Sequence, residues 1–247
     1  MIYSVFESEA FGLNVYRDDG NLLENSIEYI SSYIIDNNIN IIRFSIDANK
    51  FDYFDKLNQL NFPVSFNGSV LNYSKNTKII EAFDDFYNCD LVECTINDSE
   101  VLVSLINQIF EHQPVGYTYI KSLQNQISKQ AELTAIQQYI LSLLKTENSG
   151  VQFLINKDLN EIVGFAAYIK QQNSIYRPYA GIINKHRNLK YYEQLIINMI
   201  QYNYTHNIDY IRFGVKITNL AMLNKYNRYD GFIESVNQVF ILSNIIK

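Results

Sequence analysis

The chain has 247 residues, 47% hydrophobic and 19% charged, which suits a globular protein able to bury a core as one large domain or two small ones. Its net charge of −6 and scattered basic residues argue against nucleic acid or a polybasic membrane contact. No apolar run approaches the roughly 20 residues that span a bilayer, and the early acids of "MIYSVFESEAFG" do not suit a secretory signal, so a cytoplasmic location is expected.

In chain order, "LLENSIEYISSYII" carries apolar residues at helical spacing, with Ile27 and Ile30 on one face. A β-branched run, Ile39 to Ile46, predicts a strand. A short helix follows with Phe51, Phe54, Leu57 and Leu60 as its apolar series, then Asn61-Phe62 and an alternating strand. Cys89 and Cys94 in "YNCDLVECTI" fall on opposite faces if that segment is a strand, so buried free thiols are expected rather than a disulfide or metal site. Ser99 to Leu144 is mostly helical by pattern, with Ser99 a candidate cap. After the Asn148-Ser149-Gly150 turn, "VQFLINKD", "EIVGFAAYIKQ" and "YRPYAGIINK" predict successive strands, the first two joined through Lys157–Asn160. The helix "YYEQLIINMIQYNY", the strand Ile208 to Ile217, a short helical series (Leu220, Leu223, Tyr226, Tyr229), Gly231-Phe232 and a last strand complete the chain.

These elements contain a repeat. The tripeptide I-R-F stands at Ile42–Phe44 and again at Ile211–Phe213, 169 positions on, and the register holds through helix–strand–helix–strand in each copy. The second copy carries one extra residue just before Gly231. The nine glycines form no G-x-G-x-x-G or phosphate loop, and no H-E-x-x-H, clustered Cys/His or G-x-S-x-G occurs, so no metal is expected.

The order strand–strand–strand–loop–helix–strand–Asn–short helix–Gly-Phe–strand, carried by "YAGIINKHRNLKYYEQLI" and "IRFGVKITNLAMLNKYNRYDGF", resembles the C-terminal part of the GNAT superfamily of N-acetyltransferases. "ESEAFGLNVY" and "IIRFSID" with the following helix resemble the truncated first repeat of sugar-nucleotide acetyltransferases similar to dTDP-fucosamine acetyltransferase. The resemblance implies an α/β (α+β) fold: a mixed, mostly antiparallel central sheet of GNAT type with a degenerate N-terminal half over 1–100 and a helical segment plus acyltransferase domain over 101–247. It implies an N-acyltransferase using acetyl-CoA, or another acyl-CoA, on a small amine such as an amino sugar nucleotide. A homodimer is open. Alternatives are a non-CoA donor such as aminoacyl-tRNA, which the net acidity disfavours, and a non-catalytic binding module.

The family's donor site carries over onto Gly181, Ile182 and Ile183 of the strand and His186, Arg187, Asn188, Leu189, Lys190, Tyr191 and Tyr192 of the loop and helix start, with Asn219 beyond. Loop amides and a helix N-terminus suit a pyrophosphate. The family's glycines are missing, however, and Lys190 would be strained if its position needed glycine geometry. Asn219 alternatively caps the helix that follows. Tyr226 is the expected proton donor to the CoA sulfur, with Tyr229 the alternative because of the insertion. No general base is assigned among His112, His186 and His206, or to Glu161 and Glu193. Tyr117, Tyr119, Tyr176 and Tyr179 could stack on the acceptor, and Arg177 could pair with a diphosphate.

Overall fold

The structure, a computed structural model, describes residues 1–78, 87–111, 123, 125–187, 189–217, 219, 222–225 and 231–245. Its strands are β1 (Ile2–Tyr3), β2 (Val15–Asp18), β3 (Ile41–Asp47), β4 (Val64–Asn76), β5 (Cys89–Glu93), β6 (Ser149–Asn156), β7 (Glu161–Gln171), β8 (Ser174–Arg177), β9 (Ala180–Ile182), β10 (Tyr210–Lys216) and β11 (Phe232–Ser243). Its helices are α1 (Val5–Phe11), α2 (Ile27–Asp36), α3 (Phe51–Gln59), α4 (Ser99–Phe110), α5 (Lys129–Leu143) and α6 (Tyr191–Thr205), and residues 222–225 add a helical turn.

Among the described residues, all strands join one mixed, mostly antiparallel sheet in the order β1-β2-β3-β11-β4-β10-β8-β7-β6-β5, with β9 attached to β7. Alternation along the strands sends side chains to two helical layers. Phe44, Leu242, Leu71 and Phe213 face the layer of α2, α3 and α6, while Val151, Phe153 and Phe165 face α4 and α5, against which α1 also packs. Ile30 and Ile34 on α2 are fully buried, and each such burial contributes roughly 1.5–3 kcal/mol. Ser26 starts α2 by accepting the amide of Tyr29.

The repeat becomes a pseudo-two-fold in which the last strands are exchanged. β4 pairs β10 of the other copy, β11 pairs β3, and β4 and β11 lie side by side. Matching hydrogen bonds recur at matching positions. Asn38 and Asn207 end α2 and α6 with φ of 49° and 55°, and the next residues return to the helices as Ile39 N–H to Ile34 O and Ile208 N–H to Asn203 O, both 2.9 Å. The exchanged strands are sewn by Ala48 N–H to Val236 O and its counterpart Ile217 N–H to Ser69 O, also both 2.9 Å.

Several expectations shift in detail. The third strand of the second half is broken into β8 and β9 at Pro178, which has no N–H to give a sheet. On α3 the buried stripe is Tyr53 and Leu57, while Phe51 is 71% exposed, because the helix begins at Phe51 and its first turn overhangs the core. Ser99 is the first helical residue of α4 rather than its cap. The capping box lies just upstream, where Thr95 and Asp98 satisfy one another's amides. Cys89 and Cys94 are buried free thiols. Residue 100 falls inside α4, and β5, which precedes it, completes the second half's sheet by pairing β6.

Candidate functional site

β8 runs parallel to β10 from Ser174 opposite Tyr210 to Arg177 opposite Phe213. There the pairing ends. Pro178 turns the chain, β9 pairs only β7, and β10 continues to Lys216 on the β4 side alone. The two strands thus splay, leaving backbone edges facing each other across a gap.

On the α1/α5 face the gap opens into a cavity of about 730 Å³, within the range of small-molecule sites. Both halves build it. Arg17 and Arg43 come from β2 and β3, Lys216 from β10, Glu132 and Tyr139 from α5, and Tyr176 from β8. One wall is aromatic: Tyr179 packs edge-on against Phe110 and Tyr139, with ring centroids 6.0 and 5.8 Å away. Glu7 is buried, which raises its carboxyl pKa, but the charge and hydrogen bond of Arg17 at 3.0 Å, the Ser4 hydroxyl and the more distant Arg43 outweigh this and hold it below the ordinary value. Burial raises the phenols of Tyr176 and Tyr179 against the opposing charges of Arg43 and Arg17, so both stay neutral donors. Lys216 is exposed toward the cavity, and its pKa is depressed, first by partial loss of solvation there, then by Arg43, with Glu132 opposing.

The loop before α6 is built differently from a glycine cradle. Asn184–His186 form a 3-10 turn, and the amides of His186, Arg187 and Leu189 are spent on Ile183 O, Asn184 O and His186 O. Lys190 has φ −78° and ψ 18°, so no glycine geometry is asked of it and the anticipated strain is absent. The basic side chains are largely engaged. Lys185 and His186 both contact Glu161, and Arg187 donates to the carbonyls of Ile109 and Ile182.

Of the residues singled out by sequence, Gly181, Ile182 and Ile183 lie on and beside β9 at the splay, all buried. A Cβ on Gly181 would stand 2.5 Å from the Ile109 methyl, so α4 packing already requires the glycine. Tyr191 is a core residue: its ring stacks on Tyr87 at 4.0 Å and its hydroxyl accepts from Asn156 at 2.7 Å. Leu189 and Lys190 are exposed, and Tyr192 is half-buried under the Lys225 ammonium. The Asn219 side chain accepts the Met222 amide at 3.3 Å, which is the capping alternative.

Arg177 is not in the cavity. It lies on the opposite sheet face, 3% exposed, between the rings of Tyr168 and Tyr202, and donates to Gln152 at 2.8 Å. Burial there pushes its pKa down to about 10. Tyr179 and Tyr176 do line the cavity. Tyr226, Tyr229, Tyr117, Tyr119 and Asn188 lie outside the described residues. Sequence reasoning missed Arg17, Arg43, Glu132, Lys216 and Tyr139. For Arg43 a signal existed: a cation inside the repeated apolar I-R-F must face away from the core that its neighbours enter.

No family model and no curated protein matches the sequence. Solved structures do match in fold. A functionally unknown conserved protein from Staphylococcus epidermidis superposes with a TM-score of 0.63 at 14% identity, covering 89% of this chain and 79% of that one. A GCN5-related N-acetyltransferase from Sphaerobacter thermophilus gives 0.58 at 9% identity over 87% of this chain, which spans only 65% of that protein. A tandem GNAT protein from the clavulanic acid biosynthesis pathway gives 0.58 at 7%, over 89% of this chain and 69% of its own. The fold is therefore that of the GCN5-related N-acetyltransferases, and the tandem protein is similar over most of both chains.

Proposed function

We propose that this chain is an N-acyltransferase that moves an acyl group, acetyl as the first candidate, from acyl-CoA to the amine of a small molecule. The observation that carries this reading is the splay of β9 from β10 opening into a cavity built by both halves. In this reading the pantetheine arm lies along β9 at Gly181 to Ile183, and the diphosphate meets the loop of His186 to Tyr192 and Asn219. The amine enters from the cavity, and its lone pair attacks the thioester carbonyl. The carbon–sulfur bond breaks, the departing thiolate takes a proton, the part proposed for Tyr226 with Tyr229 as alternate, and the nitrogen's surplus proton passes to solvent, from which the tyrosine is reprotonated. An amino sugar nucleotide is the proposed acceptor class, because tyrosines suit a sugar or base and cations suit phosphate.

The inward-turned loop amides favour a second reading, a GNAT-fold module that binds a ligand without acyl transfer. Calorimetric titration with acetyl-CoA and desulfo-CoA, on the parent and on Lys190→Glu, separates the two. Micromolar binding that weakens in Lys190→Glu supports a donor site at the loop. No heat and no thermal stabilisation at millimolar acetyl-CoA sinks the transferase reading.

A further inference from the structure

Two cations in the central cavity stand without a partner. No hydrogen bond or ion pair holds the side chain of Arg43 or Lys216 among the described residues, whereas Arg17 is paired with Glu7 at 3.0 Å. Arg43 comes from the first half and Lys216 from the second. They converge: the charge of Arg43 acts on Lys216 and on Glu7, Tyr176 and Tyr179 around the same space.

The repeat supplies an internal control. Arg212 occupies in β10 the place of Arg43 in β3, and its guanidinium is engaged through Nε and one terminal nitrogen. It donates to Glu234 and Gln171, both at 3.2 Å, and to Ser174 at 3.3 Å. One sibling is tied into the sheet surface, while the other faces a cavity of about 730 Å³. Arg43 is a half-buried guanidinium with no paired carboxylate among the described residues, and with the Lys216 ammonium in the same cavity it presents donors that a planar oxyanion would satisfy, although Glu7 and Glu132 also line that space.

We propose that Arg43 and Lys216 form an oxyanion clamp, so that the cavity's ligand is an amine that also carries a carboxylate or a phosphate. Arg43 would take two oxygens in its fork and Lys216 would add a third contact. This deepens the acceptor reading above and rests on it for the identification of the ligand as acceptor, though not for its binding.

The test needs no acyl donor. Glucosamine, glucosamine 6-phosphate and 2-amino-2-deoxygluconate, matched in size and in their amine, are titrated into the protein by calorimetry. The anionic probes are expected to bind about tenfold or more tighter than glucosamine. Arg43→Met and Lys216→Met should each erase about tenfold of that preference, while Arg43→Lys restores part of it and Arg212→Met leaves it intact. Preference for one anionic probe identifies its group as the clamped one. Equal affinity for all three, or a preference that survives both substitutions, overturns the clamp. Failure of acetyl-CoA to bind while the preference holds would instead remove the transferase reading and keep the clamp.

Discussion

The two halves keep the same skeleton and spend its polar groups differently. Both end their long helix on an asparagine at positive φ, Asn38 and Asn207, and both send the next strand out through I-R-F. The loops entering those helices diverge. Before α2, the Asp18 carboxylate accepts the amides of Gly20 at 2.6 Å and Leu22 at 3.3 Å, so the protein's own anion fills the turn. Before α6, backbone carbonyls take the amides of the 3-10 turn, and the nearby carboxylate, Glu161, contacts the side chains of Lys185 and His186 instead. The strand arginines diverge too, Arg212 being engaged and Arg43 aimed into the cavity. A duplicated backbone is thus conserved where hydrogen bonds close the fold, and altered where side chains meet the central space.

The comparison breaks most sharply at the splay, which among the described residues only the second half possesses. A Cβ on Gly164 would stand 2.4 Å from the carbonyl oxygen of Gly181, an atom of paired backbone that cannot swing aside. Gly164→Ala is expected to cost about 3 kcal/mol, read as a fall in thermal midpoint. Gly181→Ala instead meets the Ile109 side chain. Its cost should shrink by about 1 kcal/mol in an Ile109→Ala background. Independence of the two substitutions in a double-mutant cycle would show that donor approach, not α4 packing, keeps that glycine.

Next in size is the first-half loop. Asp18→Ala leaves the amides of Gly20 and Leu22 without their acceptor in a buried turn, a loss of about 2 kcal/mol. Lys190→Glu, at the exposed head of α6, should change the melting point by no more than about 0.5 kcal/mol's worth. If both loops proved equally sensitive, the idea that an internal anion holds the backbone amides of the first would fail.

The repeat and the order of strands and helices along the second half were legible because they rest on periodicity, which one chain displays in full. The split at Pro178 was legible in principle, since proline cannot continue a paired strand. What stayed hidden depended on which strands meet. The exchange of β4 and β11 between the halves follows from long-range pairing that leaves no local trace, and it brings Arg43 and Lys216 to one cavity. Arg177 misled for the same reason: one position along β8 sends its guanidinium to the opposite face from Tyr176. Arg177→Met therefore should leave binding of anionic probes unchanged within about twofold, measured by the same titration that Arg43→Met is expected to impair.

The finest prediction concerns proton uptake at Lys216. Its ammonium, though exposed toward the cavity, is destabilised by partial loss of solvation and by Arg43, with Glu132 only partly compensating, so in the free protein it releases its proton below the ordinary 10.5. A bound oxyanion favours the protonated form. Affinity for the anionic probes should therefore be full on the acid side of that depressed pKa and decline as pH rises through it, at lower pH than an unperturbed lysine would dictate. Arg43→Met removes one of the two depressing influences, so the decline should move to higher pH even as the overall affinity drops. In Lys216→Arg, whose guanidinium keeps its proton, the decline should vanish across that range. A pH profile identical in parent and Lys216→Arg would take Lys216 out of the clamp and leave Arg43 as a lone anchor.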